Sequence, residues 1–129
     1  MSLASQWLVR ILVVDDERGF GSLLGRTLRR LGHEAVLAYH PFDAIEMLDP
    51  SVDAVITDID MPNMDGVQLA QQIRRRFSDM PIAFCTGSDP EDSVVRKASE
   101  IGRVFPKIWT LDEVMVTVEE LRKQRIGNS

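Results

Sequence analysis

Five short apolar runs, each followed by a segment with apolar residues at helical spacing, constrain this chain more than any other feature. The runs occupy residues 10–15, 34–39, 53–58, 81–85 and 103–106. Their continuous Val, Ile, Leu, Ala and Phe content, without strict alternation, is the pattern of strands covered on both faces. The segments between them carry Phe20, Leu23, Leu24, Leu28 and Leu31, then Ala44, Ile45 and Leu48, then Leu69, Ala70, Ile73 and Phe77. Val94, Val95, Ala98 and Ile101 follow, and finally Val114, Met115, Val118 and Leu121. Strands that alternate with helices predict an α/β fold, a doubly wound five-stranded parallel sheet in the order 2-1-3-4-5 with five helices and right-handed crossovers.

Punctuation residues agree with this division. Gly32 closes the first helical segment, Pro41 sits where the second can begin, and Pro50 stops it. Pro106 removes a backbone donor from the last run, which places that strand at a sheet edge. The fourth helical segment, residues 90–101, has the weakest apolar face. Residues 1–129 fit one domain with a core over about 9–122. Residues 1–8 and 124–129 are expected to be flexible ends, with Met1-Ser2-Leu3 reading as a cloning remnant.

The formal charge of −5 argues against a nucleic-acid surface, and no apolar run approaches the roughly 20 residues that span a bilayer. A single Cys85 forms no internal disulfide, and without a secretion signal the expected location is cytoplasmic. Cys85, inside an apolar run, reads as inert core. The Arg74-Arg75-Arg76 run at the end of the third helix complements the helix dipole. His33 and His40 sit in surface-like contexts, Trp109 is expected against the last helix, and none of these signals a function by itself.

The strand ends carry the chemistry. Asp15 and Asp16 follow the first run, Asp58 ends the third, Thr86 follows the fourth and Lys107 the fifth. In the expected strand order the first and third strands are neighbours, so three carboxylates converge where ligands bind in such sheets. Each pair of carboxylates 4 Å apart repels by roughly 4 kcal/mol at an effective dielectric near 20. A divalent cation answers that repulsion, and oxygen ligands favour Mg²⁺, with Mn²⁺ as substitute.

Val13-Val14-Asp15-Asp16, the stretch from Asp58 through Asp-Met-Pro-Asn-Met-Asp to Gly66, Thr86-Gly87 and Lys107 resemble, in order and spacing, the receiver domain of two-component response regulators. The resemblance extends from about residue 10 to 121. It implies a flavodoxin-like fold and a cytoplasmic phosphoprotein of a phosphorelay, acting in signal transduction and not as an enzyme with turnover. Asp58 would be the phosphoacceptor, taking a phosphoryl group from a phosphohistidine of a sensor histidine kinase or histidine phosphotransfer protein. Asp16, Asp58 and the backbone carbonyl of Asp60 would bind Mg²⁺, with Asp15 acting through water. Thr86, Gly87 and Lys107 would meet the phosphoryl group and switch the surface of the fourth helix, fifth strand and fifth helix. An output domain in the same polypeptide is a further partner the resemblance implies; nucleic acid and membrane are not partners of this domain.

Two positions depart from the family pattern. Val104 stands at the readout position, three residues before the lysine, where most receivers have an aromatic ring, and Ile108 stands where proline commonly follows a cis peptide. A cis bond before a non-proline residue costs about 2.5–4 kcal/mol, so a trans link is expected. Phe105 faces the opposite way from Val104 on a strand. The side chain of Asp60 is expected toward the incoming water or donor. Two other functions stay open: a receiver-like binding module that signals without phosphorylation, and a phosphatase using Asp58-Ile59-Asp60 as an Asp-x-Asp motif. A flavodoxin-like cofactor carrier lacks the phosphate-cradling loop after the first strand.

Overall fold

In the computed structural model, which describes residues 8–127, the five runs pair into one parallel sheet in the order 2-1-3-4-5. The strands are β1 (Arg10–Val14), β2 (Glu34–Ala38), β3 (Ala54–Asp58), β4 (Ile82–Thr86) and β5 (Val104–Pro106). The helices are α1 (Arg18–Arg30), α2 (Pro41–Met47), α3 (Gly66–Arg76), α4 (Ser93–Ile101) and α5 (Leu111–Gly127). The expectations for residues 1–7 and 128–129 lie outside the described residues. No helix among the described residues is long and apolar enough to cross a membrane.

Period-two alternation divides the strand side chains between two cores. Leu12, Val14, Val55, Ile82 and Phe84 pack on the face covered by α2, α3 and α4. Ile11, Val13, Ala54, Ile56, Ala83, Cys85 and Phe105 pack on the face covered by α1 and α5. Both faces are buried, so the runs read as continuous and not as alternating. Val104 and Phe105 fall on opposite faces, as the strand geometry requires. β5 is an edge strand, and Pro106 ends it.

Side chains at helix ends set the entry points to the site. Asp65 caps α3 through Gln68 N at 2.8 Å, and the Gln68 side chain accepts from Asp65 N at 3.0 Å, a reciprocal capping box. His40 caps α2, its Nδ1 accepting from Phe42 N at 3.1 Å, so it has a definite structural task. His33 is half-buried and accepts from Val9 N at 3.1 Å. Gly32, at φ +93°, takes the left-handed conformation that ends α1.

Two helices are rotated from the expected apolar stripes. Their helical spacing puts Leu23 and Met115 on the inner faces, but both are exposed, and α1 buries Gly21 and Gly25 alongside Leu24 and Leu28. An added Cβ at Gly25 would lie 2.8 Å from Leu37 Cδ2, so glycine lets α1 lie close against β2. α5 buries Thr117 and the stem of Arg122 alongside Val114, Val118 and Leu121. α4 starts at Ser93, later than expected, and only Val95 and Ala98 are fully buried on it.

Candidate functional site

The carboxyl edge of the sheet brings the predicted site residues together because each ends or follows one of four adjacent strands. Val14 and Thr57 are paired between β1 and β3, which puts Asp15 and Asp58 side by side. Asp15 N donates to Ala38 O, Ile59 N to Cys85 O and Lys107 N to Thr86 O, so the backbone ladder fixes all three loops. Carboxylate oxygens of Asp15, Asp16 and Asp58 all lie within 4.8 Å of one another. Asp15 and Asp58 are buried, whereas Asp16 faces solvent.

Lys107 enters this cluster from the end of β5 with a side chain only 8% exposed. Its Nζ donates to Asp15 Oδ1 at 3.3 Å and to Glu17 Oε1 at 2.7 Å. Asp58 Oδ2 lies 3.1 Å away, close enough for an ion pair but outside hydrogen-bond geometry, and it has no hydrogen-bond donor of its own. Asp58 Oδ1 accepts from Asp60 N at 3.3 Å. The Phe20 ring lies 4.9 Å from the ammonium, a cation–π contact.

The electrostatics follow from burial and like charge. Burial and the neighbouring Asp15 carboxylate raise the Asp58 pKa from 3.8 to about 7, against the pull of Lys107. Asp15 is also raised, chiefly by burial. Burial works to lower Lys107, but Glu17, Asp58 and Asp15 outweigh it and hold the ammonium charged well above its ordinary range. The thiol of Cys85 is pushed upward by burial and by Asp15 and Asp58, which keeps it unreactive.

A buried carboxylate oxygen without a donor, beside two more carboxylates, is a donor set of hard oxygens that fits a small divalent cation. Asp60 stands apart from this cluster. Its exposed side chain is tied to the loop after β4: Oδ2 accepts from Thr86 Oγ1 at 3.2 Å and from Ser88 Oγ at 2.5 Å. Ser88 N donates in turn to Thr86 Oγ1 at 3.0 Å. Gly87 is exposed, and a Cβ there would meet only Lys107 Cδ at 3.9 Å.

Gly66 closes the Asp58 loop. Its N donates to Ile59 O at 2.8 Å, and an added Cβ would lie 2.3 Å from Asp58 O. Asn63, at φ 73°, supplies the left-handed turn in the same loop, a conformation asparagine tolerates. On the far side of β5, Val104 lines a cavity of about 430 Å³ with Thr86, Ser88, Val95 and Ser99. The Lys107–Ile108 peptide is trans, and Ile108 is 88% exposed. Trp109 packs on the core between the sheet and α1/α5, edge-on to Phe105 at 6.3 Å.

Sequence reading missed Glu17, Phe20 and Ser88. Glu17, at the N-cap of α1, and Phe20, in its first turn, show no motif of their own. Ser88 shares Asp60 with Thr86, a pairing visible only once β3 and β4 are adjacent.

Comparison with known proteins agrees with this geometry. The family profile of the response regulator receiver domain matches residues 11–119. Response regulator MprA of Mycobacterium ulcerans (strain Agy99) is 32% identical over 118 residues, covering 90% of this chain and 51% of that protein. MprA of Mycobacterium tuberculosis (strain H37Rv) is 31% identical over 118 residues, with the same coverage. The chain therefore spans about half the length of these curated relatives. Among solved structures, a response regulator receiver domain protein from Clostridium thermocellum superposes with a TM-score of 0.85 at 22% identity, covering 94% of this chain and 99% of that one. The non-phosphorylated HemR receiver domain from Leptospira biflexa gives a TM-score of 0.76 at 26% identity, covering 88% and 94%. The sheet order, the acid cluster at its carboxyl edge and the profile match over most of the length agree: the chain belongs to the response regulator receiver domain family of two-component systems.

Proposed function

We propose that this domain accepts a phosphoryl group on Asp58 from a histidine kinase or histidine phosphotransfer protein, with Mg²⁺ or Mn²⁺ bound beside it. The observation that carries the reading is the state of Asp58: buried, ion-paired to a buried lysine through an oxygen that has no hydrogen bond, and set beside an acid pair. Asp16, Asp58 and the Asp60 carbonyl would hold the cation, with Asp15 reaching it through water. That ion would supply charge neutralisation for the carboxylates and the phosphoryl oxygens.

This chain's own groups do the rest. Asp58 attacks phosphorus through a carboxylate oxygen, forming an aspartyl phosphate as the bond to the donor nitrogen breaks. Lys107 contributes an ammonium beside the new phosphoryl oxygens. Thr86 would leave Asp60 to donate its hydroxyl to the phosphoryl group. Phosphorylation shifts the resting-to-active equilibrium only as far as these contacts favour the active arrangement. The surface that changes would comprise α4, β5 and α5, where α4 lacks a side-chain cap and Leu111 and Met115 leave apolar area exposed on α5.

Incubation with Mg²⁺ and acetyl phosphate tests this directly. The protein should gain the mass of one phosphoryl group, and Asp58→Ala should gain none; equal labelling of the two would refute the assignment. Val104 and Ile108 favour a second reading, a binding module that signals unphosphorylated. Under that reading, hydrogen exchange over α4, β5 and α5 would be the same with and without beryllofluoride.

A further inference from the structure

Glu17 occupies the N-cap position of α1, yet its side chain makes no cap hydrogen bond. It reaches instead to Lys107, 90 residues away in sequence, with the shortest of the lysine's three carboxylate contacts: 2.7 Å, against 3.1 Å to Asp58 and 3.3 Å to Asp15. Glutamate is not among the short side chains that favour this position, so its carboxylate is free to reach the lysine. Glu17 is more than half exposed, while Lys107 is buried, so the pair bridges the mouth of the site and its floor. The Phe20 ring, one turn along α1, limits the ammonium on another side.

We propose that Glu17 is a positioning residue for phosphoryl transfer, holding the Lys107 ammonium from the α1 side so that a phosphoryl oxygen arriving on Asp58 meets a fixed donor. The inference rests on Asp58 being the phosphoacceptor. Asp15 and Asp58 are the lysine's other partners, and both belong to the acid cluster that would hold a cation. Glu17 lies outside that cluster, so it is the carboxylate left to anchor the lysine. In the transfer a carboxylate oxygen of Asp58 forms the bond to phosphorus and the bond to the donor breaks, its electron pair leaving with the imidazole nitrogen or, for acetyl phosphate, with acetate. Lys107 keeps all its protons throughout, and the ammonium contact to Asp58 passes to the phosphoryl oxygen while the one to Glu17 stays.

Two variants separate positioning from charge alone. Glu17→Ala removes both the acceptor and the charge; Glu17→Gln removes the charge but keeps an oxygen that accepts from Nζ. With Mg²⁺ and saturating acetyl phosphate, Glu17→Ala should slow phosphorylation about fivefold, the upper factor for a half-exposed ion pair, and Glu17→Gln should recover most of that rate. The donor concentration for half-maximal rate should change less than twofold in either. Equal rates in all three proteins would overturn the role. So would an identical, salt-sensitive change in half-saturation in both variants, because that is the signature of a charge acting at a distance. A second readout needs no phosphoryl group: in the metal-free protein the Lys107 ammonium protons, followed by ¹⁵N NMR, should exchange about fivefold faster in Glu17→Ala than in wild type or Glu17→Gln. Unchanged exchange would overturn the clamp itself. A wild type that takes no phosphoryl group, while its ammonium exchange still responds to Glu17, would overturn the phosphoacceptor reading and with it the role, leaving the ion pair standing.

Discussion

Replacing Asp58 with Asn should stabilise the metal-free protein above neutral pH, and by less than half as much near pH 5. Asp58 is 2% exposed and shares its site with Asp15, and its pKa is raised from 3.8 to about 7. Between those values the folded protein holds a proton that the unfolded chain has released. Stability therefore falls as pH rises from about 4 to 7 and levels off above 7. At 1.36 kcal/mol per tenfold change in proton affinity, the full effect is roughly 4 kcal/mol, a ceiling that relaxation around a charged Asp58 reduces. Asn resembles the protonated acid in shape and never ionises. The variant should thus exceed wild type by about 2–4 kcal/mol at pH 8 and by only about 1–2 kcal/mol at pH 5, where most of the loss has yet to occur. Urea unfolding with EDTA at the two pH values measures both differences. Adding Mg²⁺ should close the gap at pH 8, since a ligand at 100 times its Kd adds about 2.7 kcal/mol to the form that binds it. A difference between variant and wild type that is the same at pH 5 and pH 8 would refute the claim that a buried, like-charged carboxylate destabilises the resting site.

Lys107→Met should act in the opposite direction, leaving Asp15 and Asp58 without their buried counter-ion and costing about 3–5 kcal/mol at pH 8; a smaller loss at pH 5, where Asp58 is protonated, would show in the same urea titrations. Gly66→Ala should lower stability by about 2–4 kcal/mol and weaken Mg²⁺ binding, because the new Cβ would overlap the Asp58 carbonyl oxygen at 2.3 Å and the Ile59 Cα at 2.9 Å, both backbone atoms that cannot turn aside. An unfolding midpoint and a Mg²⁺ titration equal to those of wild type would show that the loop has room the structure does not display.

The fold was legible because the three central strands are buried on both faces. That burial turns β1, β3 and β4 into unbroken apolar runs whose ends are marked by Asp15, Asp58 and Thr86. The residues that converge at one sheet edge could therefore be named from strand ends alone. Helix rotation was less legible, because small and polar residues share the buried faces. α1 seats Gly21 and Gly25 inward, where small residues permit close approach to β2, and Leu23 is left outside. α5 buries Thr117 by returning its hydroxyl to Glu113 O at 2.7 Å, so a polar residue stands where an apolar one was sought. The partners of the Asp60 side chain were illegible for another reason: Thr86 and Ser88 are 26 and 28 residues away, and no periodicity encodes a bond between two loops.

The hydrogen bonds around Thr86 bear on how a domain without the usual aromatic ring could transmit its state. A ring that follows the threonine needs both a space to enter and a side chain able to rotate. The space exists beside Val104, but valine is β-branched, stiff at χ1 and has no ring to carry. The ties of Thr86 run elsewhere. Its hydroxyl donates to Asp60 Oδ2, accepts from Ser88 N, and shares that same Asp60 oxygen with the Ser88 hydroxyl. Under the proposed reading, drawing Thr86 toward a phosphoryl group on Asp58 would break its bond to Asp60 and pull Ser88 through its backbone. Ser88 leads through the 89–92 turn into α4, whose N-cap Asp92 makes no side-chain cap and whose inner face buries fully only Val95 and Ala98. A helix held that lightly can shift at low cost. In this chain the route from phosphoacceptor to surface would then run along the loop after β4 into α4, with Asp60 restraining the resting position and Val104 leaving room for the helix to move.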